Sequence, residues 1–353
     1  MKTDSLRELA RERLPRAVYD YYVGGADDET TVRANREAWA AIELRPRVLV
    51  DVSAADASVD LLGHRLPSPV VLAPTAFHRL AHDDGELATA RGAGDRLMVA
   101  SSLSTVPIEE IVAAARGPVW LQLYVFRDRE LSAALVRRAE EAGCVGLCLT
   151  VDVPVVGNRE RDVANHFVLT VSMEMAIFSG LLQSEMPEAG GSGLAHYIAD
   201  QFDASLDWGA IEWLRGVTRL PVIVKGIQHP DDGRRAVEAG VDAIVVSNHG
   251  GRQLDGAQAT ARVLPDVVAA VEGRLPILVD GGLRRGTDVA RALALGAAAV
   301  LVGRPYLWGL ATGGAEGVAR VLDELDHEFV RALQLLGVPA ADALGPEALA
   351  PVR

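Results

Sequence analysis

The stretch Ser247-Asn248-His249-Gly250-Gly251-Arg252-Gln253-Leu254-Asp255-Gly256 sets an imidazole and a guanidinium three residues apart across two glycines. A histidine so placed can take a proton from a bound molecule, and an arginine can grip a carboxylate through two parallel hydrogen bonds. The glycines let backbone run close beside a flat ligand. The same ten residues could form an ordinary turn with a solvated histidine, so their meaning depends on the side chains that the fold brings to them.

Residues 243–246 are an unbroken, β-branched apolar run after the turn-prone Gly240, which reads as a buried strand with this loop at its carboxyl end. From residue 69 to about 310 the same rhythm repeats: a short apolar strand, a loop, an amphipathic helix and the next strand. Gly143, Gly240 and Gly296 suit the carboxyl caps of three of those helices. Strands are expected at 70–73, 98–101, 120–123, 146–151, 222–225, 243–247, 277–280 and 299–303, eight in all, the number a (β/α)8 TIM barrel requires. An open doubly wound sheet would alternate likewise, but it would more often carry a glycine-rich phosphate loop after its first strand, where this chain has Pro74-Thr75-Ala76.

The expected organisation is one α/β barrel domain over 1–353. It has an N-terminal extension over 1–68, a barrel core over 69–312 and C-terminal helices over 313–353, with helical pattern at 317–336. Residues 4–40 predict two or three short helices, one begun by Leu14-Pro15 and stopped by Gly24-Gly25. The connection over 153–206 is far longer than a usual βα loop, and 173–193 lacks periodicity, which predicts a mobile lid at the active end.

Composition excludes other classes. With 353 residues, 49% of them hydrophobic, the chain can bury a large core, so disorder is excluded. A net charge of -13 argues against nucleic acid as partner, because phosphate binding needs clustered excess Lys and Arg. Cys144 and Cys148 have neither the spacing nor a nearby histidine for zinc and read as small buried hydrophobes, so no metal site is expected. Residues 1–13 lack the apolar stretch of a signal peptide, and no run reaches the roughly 20 apolar residues of a membrane span. The expectation is a soluble, cytoplasmic protein.

Chemistry in such a barrel sits where the strands end. Polar residues there are Thr75 beside Pro74 and Ala76, Ser101 and Ser102, Gln122 and Tyr124, Thr150 and Asp152, and Lys225. Ser247 with His249 and Arg252, Asp280 with Gly281, Gly282 and Arg284, and Gly303 with Arg304 complete the set. The last two groups put backbone amides and guanidiniums where barrel enzymes commonly bind a phosphate. Thr75, Ala76, Ser101, Gln122, Thr150 and Lys225 offer donors and acceptors suited to the edge of a large planar heterocycle. Together they point to flavin mononucleotide, FMN.

These motifs resemble the FMN-dependent α-hydroxy acid oxidases and dehydrogenases, the family that includes glycolate oxidase, lactate oxidase and mandelate-oxidising enzymes. The likeness extends over nearly the whole chain, through residues 18–22, 73–76, 122–124, 149–154, 224–226, 247–255, 280–282 and 302–305. The resemblance implies His249 as catalytic base with Asp152 stabilising the imidazolium. It implies Arg159 and Arg252 as the pair that holds a substrate carboxylate, Tyr21 and Tyr124 as hydrogen-bond partners of the substrate, and Lys225 beside flavin N1. Oxidation of an (S)-2-hydroxy acid to the 2-oxo acid follows, with oxygen, a quinone or a protein as electron acceptor. A homotetramer is implied as well.

Leu103 stands where glycolate oxidase carries a tryptophan, and Val155, Val156 and Asn158 stand where larger or basic residues are expected. Leu103 and Val156 together predict a roomier pocket and a mandelate-like substrate, with glycolate or lactate as the alternative. Two rival readings remain at this level. One is a nucleotide dehydrogenase on a phosphate-binding barrel, which should carry a loop cysteine that this chain lacks. The other is a flavin-binding sensor without turnover.

Overall fold

The computed structural model describes residues 3–167, 176–179 and 201–351. A two-stranded antiparallel hairpin, β1 (Val59–Leu61) and β2 (His64–Leu66), precedes the barrel. Eight parallel strands then close on themselves: β3 (Val70–Leu72), β4 (Met98–Ala100), β5 (Val119–Leu123), β6 (Gly146–Thr150), β7 (Val222–Ile227), β8 (Ala243–Val246), β9 (Ile277–Val279) and β10 (Ala299–Val302). Closure is made by β10 beside β3, with Val300 opposite Val70. All eight expected strands are present, and the fold is the (β/α)8 barrel that their count required.

Most expected strands overran by one residue at the carboxyl end, and the surplus residues are informative. Ala73, Ser101, Val151, Ser247, Asp280 and Gly303 each leave the ladder just after the last paired residue. Chain that turns toward a site cannot also continue the sheet. Strand β7 behaves differently, running on to Ile227 through a register shift between Lys225 and Ile227. Gly226 there has φ +119, and a Cβ on it would lie 2.7 Å from the Asp152 Cβ. The irregularity therefore needs glycine, and it lets Lys225 and Asp152 come together. Inside the barrel, Gly146 on β6 makes room for the Trp120 indole, which a Cβ would meet at 2.5 Å.

Helices Thr3–Arg13, Arg16–Val23 and Thr30–Ala41 fill the N-terminal extension. The hairpin was not anticipated, because its turn uses Leu62 (φ 46) with Gly63 (φ 83) rather than the usual Asn-Gly pair. The last helix begins earlier than expected, at Arg304, and runs to Leu336 across a bend at Gly313-Gly314. Of the long connection, helix Glu160–Ala164 and the turn Ala176–Phe178 are described; the remainder of the expected lid, 168–175 and 180–200, lies outside the described residues. Cys144 and Cys148 are both buried, and burial pushes each thiol up to about 12, which leaves them unreactive. Among the described residues no helix is long and apolar enough to cross a membrane, and no cluster of His, Cys, Asp or Glu could hold a metal ion.

Candidate active site

One cavity opens at the carboxyl ends of the barrel strands. All the expected site residues border it except Asp152 and Ser247, which stand one layer behind. His249 follows β8 in a left-handed conformation (φ 56), and Gly250 and Gly251 continue it at φ 64 and 76. A Cβ on Gly251 would lie 2.8 Å from the Val32 side chain, so the loop passes under the N-terminal helices only as glycine. This turn aims the imidazole at the cavity. Its Nδ1 lies 2.8 Å from Asp152 Oδ1, and the Tyr124 hydroxyl lies 3.4 Å from Nε2.

Charge decides the tautomer. Burial alone would raise the Asp152 carboxyl, but His249 and Lys225 outweigh it and hold the group below the ordinary carboxylate range. An ionised Asp152 can only accept, so His249 Nδ1 donates and Nε2 keeps its lone pair toward the cavity. Burial also pulls the His249 imidazole below its ordinary value, against the pull of Asp152. The result is a neutral base with a counter-charge ready for the proton. Lys225 is buried and donates to Ser247 Oγ at 2.9 Å, with Asp280 Oδ2 at 3.4 Å and Asp152 Oδ2 at 4.0 Å. Burial disfavours its charge, yet the two carboxylates hold the ammonium protonated well above an ordinary lysine. Ser247 thus acts behind Lys225 and also accepts from the His249 amide at 3.0 Å.

Beside the imidazole, Arg159 and Arg252 face the same space as Tyr21 and Tyr124. Arg252 Nη1 donates to the carbonyls of Tyr21 (2.7 Å) and Gly24 (2.9 Å), and its guanidinium lies 5.1 Å from the Tyr21 ring centre. Burial and the neighbouring Arg159 charge pull Arg252 down to about 10. Arg159 Nε is buried without a partner. Asp162 offsets part of this charge, and a substrate carboxylate would offset more of it and fit the two planar forks.

The opposite wall is neutral and polar. Gln122 Oε1 accepts from the Ser101 hydroxyl (3.2 Å), the Ser102 amide (3.2 Å) and the Ser102 hydroxyl (3.4 Å). That occupancy leaves Gln122 Nε2 buried and unpartnered as a donor, alongside the unpartnered Thr150 Oγ1 and Asp280 Oδ1. Thr75 borders the cavity with its hydroxyl already engaged, meeting His78 Nε2 at 2.6 Å and the Tyr306 hydroxyl at 2.5 Å. At the far end Arg304 is fixed by the carbonyls of Tyr22, Gly250 and Gly24 at 2.8 to 2.9 Å. Burial, with Arg252 and Arg284 nearby, pulls it well below an ordinary arginine. Gly282 (φ +91) passes so close to helix Thr30–Ala41 that a Cβ would lie 2.5 Å from the Asn35 carbonyl oxygen. Gly303 precedes the last helix with no side-chain cap, leaving first-turn amides for an anion. Donors for a heterocycle edge, a carboxylate for hydroxyls and a cationic helix start all border the one cavity, the chemical set that FMN requires.

Several contributors escaped the sequence reading. Tyr22, Leu283, Leu301 and Leu307 also line the cavity. Asn35 and Asn248 exchange amide hydrogen bonds at 2.9 and 2.8 Å, and the Trp39 indole donates to the Gly281 carbonyl at 2.7 Å. Nothing local in Thr30–Ala41 marks these residues as supports of a loop more than 200 positions away; the buried face of an amphipathic helix was the only signal. Of the four departures noted above, only Leu103 borders the cavity. Val155 and Val156 are solvent-exposed and Asn158 donates to Asp27 Oδ1, so Val156 does not widen the pocket.

Comparison with known proteins bears on this geometry. Residues 10–351 match the family model described as FMN-dependent dehydrogenase. The chain is 48% identical to a peroxisomal (S)-2-hydroxyacid oxidase of Arabidopsis thaliana, over 97% of this chain and 94% of the relative. It is 50% identical to an L-lactate oxidase of Nostoc sp., over 94% of this chain and 92% of the relative. Among solved structures, a crystal structure of mandelate oxidase aligns with a TM-score of 0.91 at 42% identity, covering 99% of this chain and 97% of that one.

Proposed function

Because the chain belongs to the FMN-dependent dehydrogenase family, we propose that it oxidises an (S)-2-hydroxy acid bearing an aryl or longer alkyl group to the 2-oxo acid, with oxygen reduced to hydrogen peroxide. The observation that carries the reading is one cavity in which the His249–Asp152 pair stands beside Arg252 and an Arg159 whose Nε is buried without a partner.

FMN, when bound, accepts the two electrons that leave the substrate's α-carbon. Gln122, Thr150 and Lys225 would hold its heterocycle edge, Asp280 its hydroxyls, and Arg284, Arg304 and the Gly282 and Gly303 backbone its phosphate. The fixed Lys225 charge stabilises negative charge that develops on that edge. Arg159 and Arg252 grip the substrate carboxylate and orient the molecule, so the reacting carbon is presented in one geometry. Tyr21 adds a hydrogen bond to the carboxylate and Tyr124 one to the hydroxyl. His249 Nε2 takes a proton from the substrate, and Asp152 stabilises the imidazolium that results.

Leu103 supports a bulky substrate side chain, since it borders the cavity where an indole would fill it. Each additional buried methylene adds about 0.8 kcal/mol, so an aryl group filling that space gains over glycolate by several-fold to a few hundred-fold in kcat/KM. A second reading, lactate, is favoured by the higher identity to the lactate oxidase. Anaerobic flavin bleaching with glycolate, lactate, 2-hydroxyoctanoate and both mandelate enantiomers separates the two. (S)-mandelate should lead in the native protein and lose its lead in Leu103→Trp; an unchanged ranking in that variant removes the pocket argument.

A further inference from the structure

We propose that Arg161 is a positioning residue for the substrate carboxylate, locking the end of helix Arg16–Val23 against the segment that carries Arg159. The proposal rests on the 2-hydroxy acid reading above. The three groups that face the carboxylate come from three distant segments: Tyr21 from this helix, Arg159 from the chain after β6, and Arg252 from the loop after β8. Arg252 is itself anchored on the carbonyls of Tyr21 and Gly24, so the helix end sets the position of two of the three.

Arg304 donates to the Tyr22 and Gly24 carbonyls of that end, and Arg161 ties it to the segment that carries Arg159. Arg161 Nε and Nη2 reach the two Glu29 carboxylate oxygens at 2.6 and 2.8 Å, and Nη1 reaches Asp20 Oδ1 at 3.2 Å. Asp20 and Glu29 flank the Gly24-Gly25 corner on both sides, and Glu29 Oε1 also accepts from the Gly25 amide at 3.1 Å. One planar fork therefore spans the whole turn. The same segment is seated at three further points: Asn165 Nδ2 donates to Asp20 Oδ2 at 2.8 Å, the Asp27 amide donates to the Asn158 carbonyl at 2.9 Å, and the Phe167 ring stacks on Tyr21 at 4.7 Å and 11°.

Arg161 does not border the cavity, so it binds no ligand there. Its side chain is 45% exposed, and half-exposed ion pairs contribute little to stability. Position is the more consequential role. Arg159 and Arg252 repel one another, with Asp162 acting on both, and a fixed backbone keeps their forks converged on one small anion.

The test compares Arg161→Ala and Arg161→Lys with the native FMN-loaded enzyme in anaerobic flavin reduction, together with hydrogen exchange of residues 21–25 in FMN-free protein. In Arg161→Ala, dissociation constants for the hydroxy acid and its 2-oxo acid should rise on the order of tenfold, because small misplacement of binding groups is costly. The limiting reduction rate should stay within about threefold, since the base is held by Asp152, and FMN content should be unchanged, since Arg304 keeps a third carbonyl partner in Gly250. Arg161→Lys should fall between, as an ammonium cannot span both carboxylates. Exchange at 21–25 should quicken in the Ala variant. Unchanged affinities with unchanged exchange overturn the proposal, as does a fall in limiting rate at constant affinity. If Arg161→Ala does not fold, Asp20→Asn keeps the shape and the Asn165 contact and should shift both readouts in the same direction by less. If no hydroxy acid bleaches the native protein, the functional reading fails while the exchange measurement still decides the lock.

Discussion

The two ends of the cavity treat their arginines differently. At the end proposed for the phosphate all three Arg304 nitrogen positions are engaged by backbone carbonyls, so the protein itself orients the side chain. At the end proposed for the substrate Arg159 Nε is buried with no partner, and Arg252 leans on two carbonyls and one ring face. The contrast concerns the anion-binding arginines alone, since Gln122 Nε2, Thr150 Oγ1 and Asp280 Oδ1 are also buried without a partner. An arginine held by the protein gains little from its anion, whereas one with an unsatisfied donor gains a hydrogen bond on binding.

The largest way to break this contrast is His249→Gln. Removing the base should lower the anaerobic reduction rate by about 10²- to 10⁴-fold while FMN stays bound, since the cofactor end is intact. Loss of FMN, or reduction at near-native rate, would dissolve the division. A second test exchanges the two arginines in turn. Arg159→Met should cost about 2–5 kcal/mol in kcat/KM, because it strands the substrate carboxylate beside one guanidinium, with FMN affinity unchanged. Arg304→Met should do the reverse, raising the FMN dissociation constant in titrations of FMN-free protein. Matching effects of both variants on both ligands would mean that one anion site, not two, is present.

The smallest effect is on pH dependence, and it sharpens the account of the base. Burial holds His249 below the ordinary histidine value of about 6.5, so the neutral, active form dominates at pH 7. The acid limb of kcat/KM should therefore lie below 6.5, with activity lost as pH falls through it and the imidazole takes a proton. Asp152→Asn removes the charge that favours the imidazolium, so the limb should move to still lower pH while the plateau drops. A limb above 6.5 in the native enzyme would contradict the dominance of burial.

Two residues mark where sequence reading reached and where it stopped. His249 was legible because a loop of fixed composition followed a strand of fixed pattern, and both signals lie within about ten residues. Arg161 was not: its partners Asp20 and Glu29 lie more than 130 positions away, and a lone arginine in a short charged helix resembles solvated surface. Thr75 illustrates a subtler limit: it was expected at the cavity and borders it, but the partners of its hydroxyl, His78 and Tyr306, could not be read from its neighbours.

The sequence by itself determined the eight strands, the barrel they close into and the candidate residues at their carboxyl ends, since periodicity, glycine stops and strand-end chemistry are written in neighbouring positions. It could not say that Val156 points to solvent, that Gln122 presents its amide nitrogen, or that Ser247 backs Lys225. Those outcomes were decided by the tertiary structure, because a side chain's remaining hydrogen-bonding capacity depends on which distant groups have already filled the rest.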